Sequence, residues 1–236
     1  MINAVPAYVS IVFVLTTFAA VAFLIQAIKE AGRLSVPAKL LTILVPFYLF
    51  LQAALAQVGF YQDEVNFPPR LLLFGIAPAL VTILVYLIFC RRSLLERMSL
   101  ELLTLVHVVR IPVEVVLLWL SWSQLVPRMM TFEGRNLDVL SGVLALLVWT
   151  IVFKFNFRSR TVLIAYNVVG LGLLINIVSI AALSLQSPIQ KLNFEQPNVG
   201  VLYFPFIWLP TIVVPIVLFA HLVSLWRLIA GREPVR

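Results

Sequence analysis

Long apolar runs alternate with short polar segments along the whole chain. An α-helix needs about 20 residues to cross a bilayer, and each of the seven runs is near or above that length. None of them alternates residue by residue like a lipid-facing strand. We therefore expect an all-α, polytopic membrane protein in which residues 1–236 form one seven-helix domain. The predicted spans cover residues 5–28, 38–58, 71–90, 102–122, 137–153, 161–185 and 203–226.

Composition leads to the same class, because 62% of the residues are hydrophobic and only 11% are charged, unlike a soluble domain. Of the 17 Lys and Arg residues, twelve follow the odd-numbered spans, four lie in the opposite loops, and Arg110 lies inside a span. Basic residues are enriched on the cytoplasmic side, so the N-terminus is predicted outside and the C-terminus in the cytoplasm.

The net charge of +7 is thus a topology signal. It indicates the lipid bilayer as a partner and gives no reason to expect nucleic acid. Short loops favour a bacterial inner membrane as the location. The specific expectation is that Lys39, Arg92, Arg158 and Arg232 are cytoplasmic, while Asp63, Glu133 and Glu195 are external.

The fourth span carries three ionisable side chains, His107, Arg110 and Glu114. Their spacing of i, i+3 and i+7 places them on one helix face. That face is expected to point into the bundle, because charge is costly against lipid and by default marks a functional site. Arg110 and Glu114 are predicted to form an intrahelical ion pair, which as a purely structural device would fix packing register. Pro112 lies between them and predicts a kink.

The seventh span contains the second of the two histidines, His221. His107 and His221 each lie six residues from a charged residue at the cytoplasmic end of their span, which places both about 9 Å deep. The two rings are therefore expected to face each other. Prolines at 205, 210 and 215 predict a bent or broken outer half, and broken helices are where transporters build substrate sites. No lysine is present in this span to form a retinal Schiff base.

The outer loops are rich in polar residues. They predict an external mouth formed by Glu133, Arg135, Asp138, Glu195, Gln196 and Asn198. Asn136 is a candidate cap of the fifth helix, and Asp138 falls in the first turn of that helix, where the macrodipole stabilises an acid. The last outer loop is either a lid that dips into this mouth or an amphipathic connector on the membrane surface.

These features favour a ligand-binding and transport protein, linked to protons, for a small molecule or an ion. The predicted ligand and proton pathway comprises His107, Arg110, Glu114, His221 and Asn176. In this scheme the histidines carry a proton, and Glu114 exchanges one as the ligand comes and goes. Isolated polar residues such as Ser141 and Asn167 are more simply interhelical hydrogen-bond partners.

Other classes remain open. A membrane redox protein would use His107 and His221 as axial ligands of a single b-type haem, the one cofactor that the sequence suggests. An intramembrane metal-dependent hydrolase would place His107, His221 and Glu114 or Asp138 around zinc. The hydrolase is disfavoured because Asp138 is expected near the opposite surface, and no catalytic residue or metal ligand is assigned. A non-transporting seven-helix sensor, or a homo-oligomer, would show the same pattern.

Overall fold

A computed structural model describes residues 5–32, 35–62, 67–157 and 159–230. Within these ranges the chain forms helices and loops, without a β-strand, and the predicted all-α class is confirmed. We number the long helices α1 (Ala7–Gly32), α2 (Val36–Gln57), α3 (Leu71–Phe89), α4 (Leu100–Trp122), α5 (Asp138–Trp149), α6 (Arg160–Leu183) and α7 (Leu209–Ala230). A wide helical turn, Thr150–Lys154, extends α5.

Six of these helices are long and apolar enough to cross a membrane, and α5 is the shorter exception. Length and composition thus define a multi-pass membrane protein. The peripheral helices α2 and α3 expose large apolar side chains such as Phe47, Phe50, Leu84 and Phe89. Exposed apolar surface of this kind suits contact with lipid tails.

Local signals in the sequence explain several helix boundaries. Ser99 and Ser159 lie just before α4 and α6, and the hydroxyl of each accepts a hydrogen bond, at 3.3 Å, from the backbone N–H of Leu102 and Val162, respectively. Such caps satisfy N–H groups that the first helical turn leaves free. At a C-terminal boundary, α1 ends at Gly32, whose backbone φ of +146° is a conformation that glycine adopts more easily than other residues.

Hydrogen bonds between neighbouring segments show that α4, α5, α6 and α7 run in alternating directions. One end of the bundle holds the starts of α4 and α6 with the ends of α5 and α7. The other end holds the end of α4 with the two long loops. The contacts are Trp149 to Glu101, Arg227 to Met98 and Arg160 to Ile229 at the first end, and Gln196 to Ser121 and Asn176 to Arg135 at the second.

The two most buried long helices are α4 and α7, and both are irregular. In α4 a tight turn, Val106–Val109, precedes Pro112, where the proline removes the donor for the carbonyl of Val108. In α7 a wide turn, Leu209–Val213, contains Pro210. The predicted distortions of both helices are therefore confirmed. The seventh helix starts later than residue 203, because residues 204–207 around Pro205 form turns.

Candidate functional site

The ionisable residues of α4 lie at the centre of the bundle. His107, Arg110 and Glu114 are each at most 2% exposed. Their common face therefore points inwards, as the spacing predicts. Side chains of α5, α6 and α7 surround this face and determine which partners the three residues have.

Arg110 forms an ion pair with Asp138, the first residue of α5. Its Nε donates to Asp138 Oδ2 at 2.6 Å, and its Nη2 donates to Oδ1 of the same carboxylate. Two parallel hydrogen bonds of this type match the planar guanidinium to the carboxylate. The predicted intrahelical pair between Arg110 and Glu114 is wrong, because Asp138 offers this bidentate geometry.

The ion pair also corrects the depth of Asp138. The side chain was expected near the outer surface, in the external mouth, but it is 6% exposed and contacts the middle of α4. The reason is that the loop between α4 and α5 folds back into the bundle, with Met130, Thr131 and Asn136 at most 1% exposed. Helix α5 is short because it starts inside the bundle.

The remaining donors of Arg110 reach three helices. Nη1 donates to Ser141 Oγ of α5 at 2.6 Å, and both Nη1 and Nη2 lie 3.2 Å from the carbonyl oxygen of Gly170 in α6. Nη1 also lies 3.1 Å from His221 Nε2 in α7. One guanidinium therefore joins α4, α5, α6 and α7.

The contacts of His221 define its protonation. Arginine has no acceptor, so His221 Nε2 must accept from Arg110 and the ring proton lies on Nδ1. That nitrogen is 2.9 Å from Asn167 Oδ1, to which it donates, while Asn167 Nδ2 donates to the carbonyl of Leu163 at 2.8 Å. A second proton on His221 would oppose the N–H of Arg110. This arrangement holds His221 neutral.

His107 stacks on His221, with ring centroids 3.8 Å apart and planes inclined by 20°. The prediction that the two histidines face each other is confirmed. Neither nitrogen of His107 has a hydrogen-bond partner among the described residues. A purely stacked imidazole of this kind is packed like an aromatic side chain.

This stacking does not fit the haem hypothesis. Axial histidines point their nitrogens at the iron from opposite faces of the porphyrin, whereas these two rings touch face to face and both nitrogens of His221 are engaged. The zinc hypothesis fits no better, because the Arg110 cation lies between Asp138 and His221. Within the described parts of the chain, no three His, Cys, Asp or Glu side chains converge as metal ligands.

Glu114 is held by Asn136 instead of Arg110. Asn136 Nδ2 donates to Glu114 Oε1 and, at 2.9 Å, to the carbonyl of Met130. Asn136 Oδ1 accepts from the backbone N–H of Asp138 at 3.0 Å, but the N-cap of α5 is Leu137, so Asn136 lies one residue before the cap position that the sequence predicts for it. Glu114 Oε2 has no partner among the described residues.

A cavity of about 370 Å³ lies beside Glu114, between α3, α4, α6 and α7. Its lining is apolar except for Glu114, Asp138, Ser179 and Asn198. Asn198 Nδ2 donates to the carbonyl of Ala181 at 3.2 Å, but Asn198 Oδ1, like Glu114 Oε2, has no partner in the described structure. Unpaired buried oxygens on two lining residues call for a hydrogen-bond donor that the described residues do not supply, although neither oxygen is open to a water molecule in this conformation.

The other residues predicted for the external mouth come from two loops that meet. Glu133, Arg135, Glu195 and Gln196 border a shallow depression at the end of the bundle where α4 ends. Glu133 pairs with Arg128, at 3.4 Å between Oε2 and Nε, and both are exposed to a large extent. Asp138 and Asn198 do not join this surface, because both are buried beneath it.

The loop between α6 and α7 behaves in part as the lid alternative describes. Gln196 Nε2 donates to the carbonyl of Val126 at 2.7 Å, and the N–H groups of Val199 and Gly200 both donate to the carbonyl of Leu125. These bonds fix residues 196–200 against the end of α4. Phe194 is 69% exposed and keeps to the surface.

Asn176, predicted to belong to the pathway, is not brought to the buried cluster. Its side chain is exposed on α6, and Nδ2 donates to the carbonyl of Arg135 at 3.0 Å. It therefore anchors the outer loop. The predictions for Asp63, Arg158 and Arg232 fall on residues outside those that the structure describes.

Two important residues of the cluster carry no charge signal in the sequence. The backbone of α6 comes close to Arg110 at Gly170, whose carbonyl accepts a hydrogen bond from the guanidinium. Asn136 donates a hydrogen bond to the Glu114 carboxylate. Asn136 was recognisable as a polar residue at the start of α5, but its hydrogen bond to Glu114 was not. In the sequence, Gly170 and Gly172 both indicate close helix packing. The three-dimensional structure shows that only Gly170 lies against neighbouring side chains.

The fold and the buried cluster define a multi-pass helical membrane protein with a polar centre that joins four helices. The chain belongs to the family described as Domain of unknown function (DUF8737), whose model matches residues 68–229. That match includes every residue of the Arg110 cluster and of the cavity. No curated protein and no solved structure matches the chain.

Proposed function

We propose that this chain is an integral membrane protein that binds a small molecule or an ion beside Glu114 and transports it in a proton-linked cycle. The observation that carries the proposal is the Glu114 carboxylate, which is 1% exposed, has one unpaired oxygen and lines the 370 Å³ cavity. Packing alone does not explain an unpaired carboxylate oxygen at this depth.

The roles of the buried residues differ in this proposal. Arg110 uses its donors on Asp138, Ser141, Gly170 and His221. It therefore acts as a fixed framework. Glu114 is the group that can change its proton content and its partner, so it replaces the histidines as the candidate proton site.

We further propose seven spans, with the N-terminus outside and the C-terminus in the cytoplasm of a bacterial inner membrane. The segment 138–154 is shorter than a full span. The loop before it folds into the bundle, and the loop and the segment together cross the membrane. The end of the bundle proposed as cytoplasmic carries Lys39, Arg91, Arg92, Arg97, Lys154 and Arg160. This charge asymmetry supports the orientation.

The orientation is tested by cysteine accessibility in a Cys90→Ser background, since Cys90 is the single native cysteine. In intact cells a membrane-impermeant maleimide should label Glu133→Cys and should not label Arg92→Cys until the cells are opened. Labelling of position 92 from outside, with protection of position 133, would invert the proposed topology.

The cavity is tested by filling it. Val214 is half-buried in α7 and lines the cavity. Val214→Phe should therefore weaken binding of the apolar-chain probes dodecylamine, dodecanol and dodecanoate about tenfold, a cost of about 1.4 kcal/mol. The matched control is Val169→Phe, an exposed position of α6 outside the cavity lining. Binding would be measured to protein in phosphatidylcholine nanodiscs, after subtraction of partitioning into empty discs. Equal binding by both variants would show that the cavity is not the site.

A further inference from the structure

We propose that the ligand of this cavity is an amphiphilic cation, with an apolar chain and a protonated amine head, which arrives from the bilayer between α3 and α6. This inference rests on the proposed function, because it assigns a substrate class to the same site. Three features carry it: the position of the cavity mouth, the character of the lining, and the charge balance around Glu114.

The mouth of the cavity faces the side of the bundle. Leu72 and Leu80 of α3 and Ile175 and Val178 of α6 line the cavity and are each at least 40% exposed. Helix α7 packs against both α3 and α6 and provides the floor between them. Because these outer faces are apolar, the opening meets lipid tails. A ligand with an apolar chain can therefore enter without crossing a polar loop.

The outer aqueous route is less open. Residues 196–200 are bonded to the end of α4, and Asn198 within this segment is only 1% exposed. The polar groups of the cavity thus lie under a closed cover, while its apolar side is open. This arrangement suits a molecule whose chain stays in the hydrocarbon and whose head reaches inwards.

Charge complementarity selects the head. The charges that neighbour Glu114 are Arg110 on its own helix and Asp138 on α5, and these two neutralise each other. Asn136 from the loop contributes an uncharged amide, and α3, α6 and α7 contribute no ionisable side chain to the cavity lining. An ionised Glu114 would therefore leave one net negative charge buried, which a ligand cation would balance.

The unpaired atoms agree with a donor on the ligand. With Glu114 ionised, both Glu114 Oε2 and Asn198 Oδ1 are acceptors without partners in the described structure. An ammonium head carries only donors. A carboxylate head would instead place a second negative charge against Glu114, and a hydroxyl head would leave the charge of Glu114 uncompensated.

Binding then exchanges one cation for another. Without ligand the Glu114 carboxyl holds a proton. When the ammonium head arrives, the O–H bond of the carboxyl breaks, the proton leaves to water, and the carboxylate pairs with the ammonium, so that net charge in the site is unchanged. This step gives the proposed proton linkage a defined stoichiometry of one proton for each cation.

The experiment compares dodecylamine, dodecanol and dodecanoate on the full-length protein in phosphatidylcholine nanodiscs. The wild type should bind dodecylamine at least about tenfold more tightly than dodecanol, since a hydrogen bond to a charged group contributes about 1.5–3 kcal/mol. Glu114→Gln should remove this preference. The matched control is Glu30→Gln, an exposed acid of α1 that accepts a hydrogen bond from Gln26, which should keep it.

Proton release is the second readout, and it needs no variant. In weakly buffered solution a pH indicator should report about one proton released for each dodecylamine bound by the wild type. Equal affinity for the three probes, or amine binding without proton release, would overturn this inference. If the cavity-filling variant Val214→Phe still blocks all three probes, the proposed binding site stands although the substrate class is wrong. A second apolar groove of about 140 Å³ lies between α2, α3 and α7 and has no charged lining residue. Probe bound in that groove should have the same affinity in the wild type and in Glu114→Gln.

Discussion

Arg110→Ala should destabilise the bundle by about 3–5 kcal/mol, because it leaves the Asp138 carboxylate buried without its partner. The double change Arg110→Ala with Asp138→Ala should be less damaging than the single one, since it removes both charges. Ser141, Gly170 and His221 lose their Arg110 donors in either case, so the difference between the two variants reports the stranded carboxylate.

The matched control combines Arg110→Ala with Glu114→Ala. Glu114 is four residues from Arg110 on the same helix but bonds to Asn136, so its removal should not rescue stability. Unfolding free energies in a fixed detergent would be compared across the three variants. Rescue by Glu114→Ala, with none by Asp138→Ala, would restore the intrahelical pair that the spacing alone suggests.

The helical architecture could be predicted because it follows from the order of apolar residues. Continuous apolar runs decide the six long spans, and prolines at 112 and 210 mark the distorted turns of α4 and α7. These effects are local to one helix. Each depends on backbone hydrogen bonding and hydrophobicity, which neighbouring residues in the sequence largely determine.

The partners of Arg110 could not be predicted in the same way. Helical spacing favours Glu114, but the observed partner Asp138 comes from a loop that folds back into the bundle. The signal for that loop is the short length of the fifth apolar run, which is consistent with a helix that starts at depth. The sequence does not show at which end a short apolar run stops before it reaches the membrane surface.

The buried position of Glu114 was predicted, but its surroundings were not. Burial of this acid follows from the inward face of α4, whereas the unpaired oxygen and the neighbouring cavity depend on how α3, α6 and α7 pack. The two histidines illustrate the opposite case. Their equal depth correctly predicts contact, yet hydrogen bonds from Arg110 and Asn167 fix His221 as a neutral partner.

Gly170→Ala should be among the most damaging single-methyl additions in the chain. A Cβ built on Gly170 would lie 2.6 Å from His221 Cε1 and 2.8 Å from Ser141 Oγ, well inside van der Waals contact. Neither neighbour can retreat freely, because both bond to Arg110. Overpacking of a tight core costs about 1–3 kcal/mol, and displacement of the Arg110 donors adds to that cost.

The control lies two residues further along α6. A Cβ on Gly172 would meet no atom within 4 Å, so Gly172→Ala should be neutral or should stabilise the helix by up to about 1 kcal/mol, the difference in helix propensity between the two residues. Thermal unfolding of both variants in the same detergent separates the two expectations. Equal effects at 170 and 172 would mean that helix propensity, and not the contact of α6 with Arg110 and His221, governs this segment. A selective loss at Gly170 would show that the Arg110 centre holds α6 against α5 and α7.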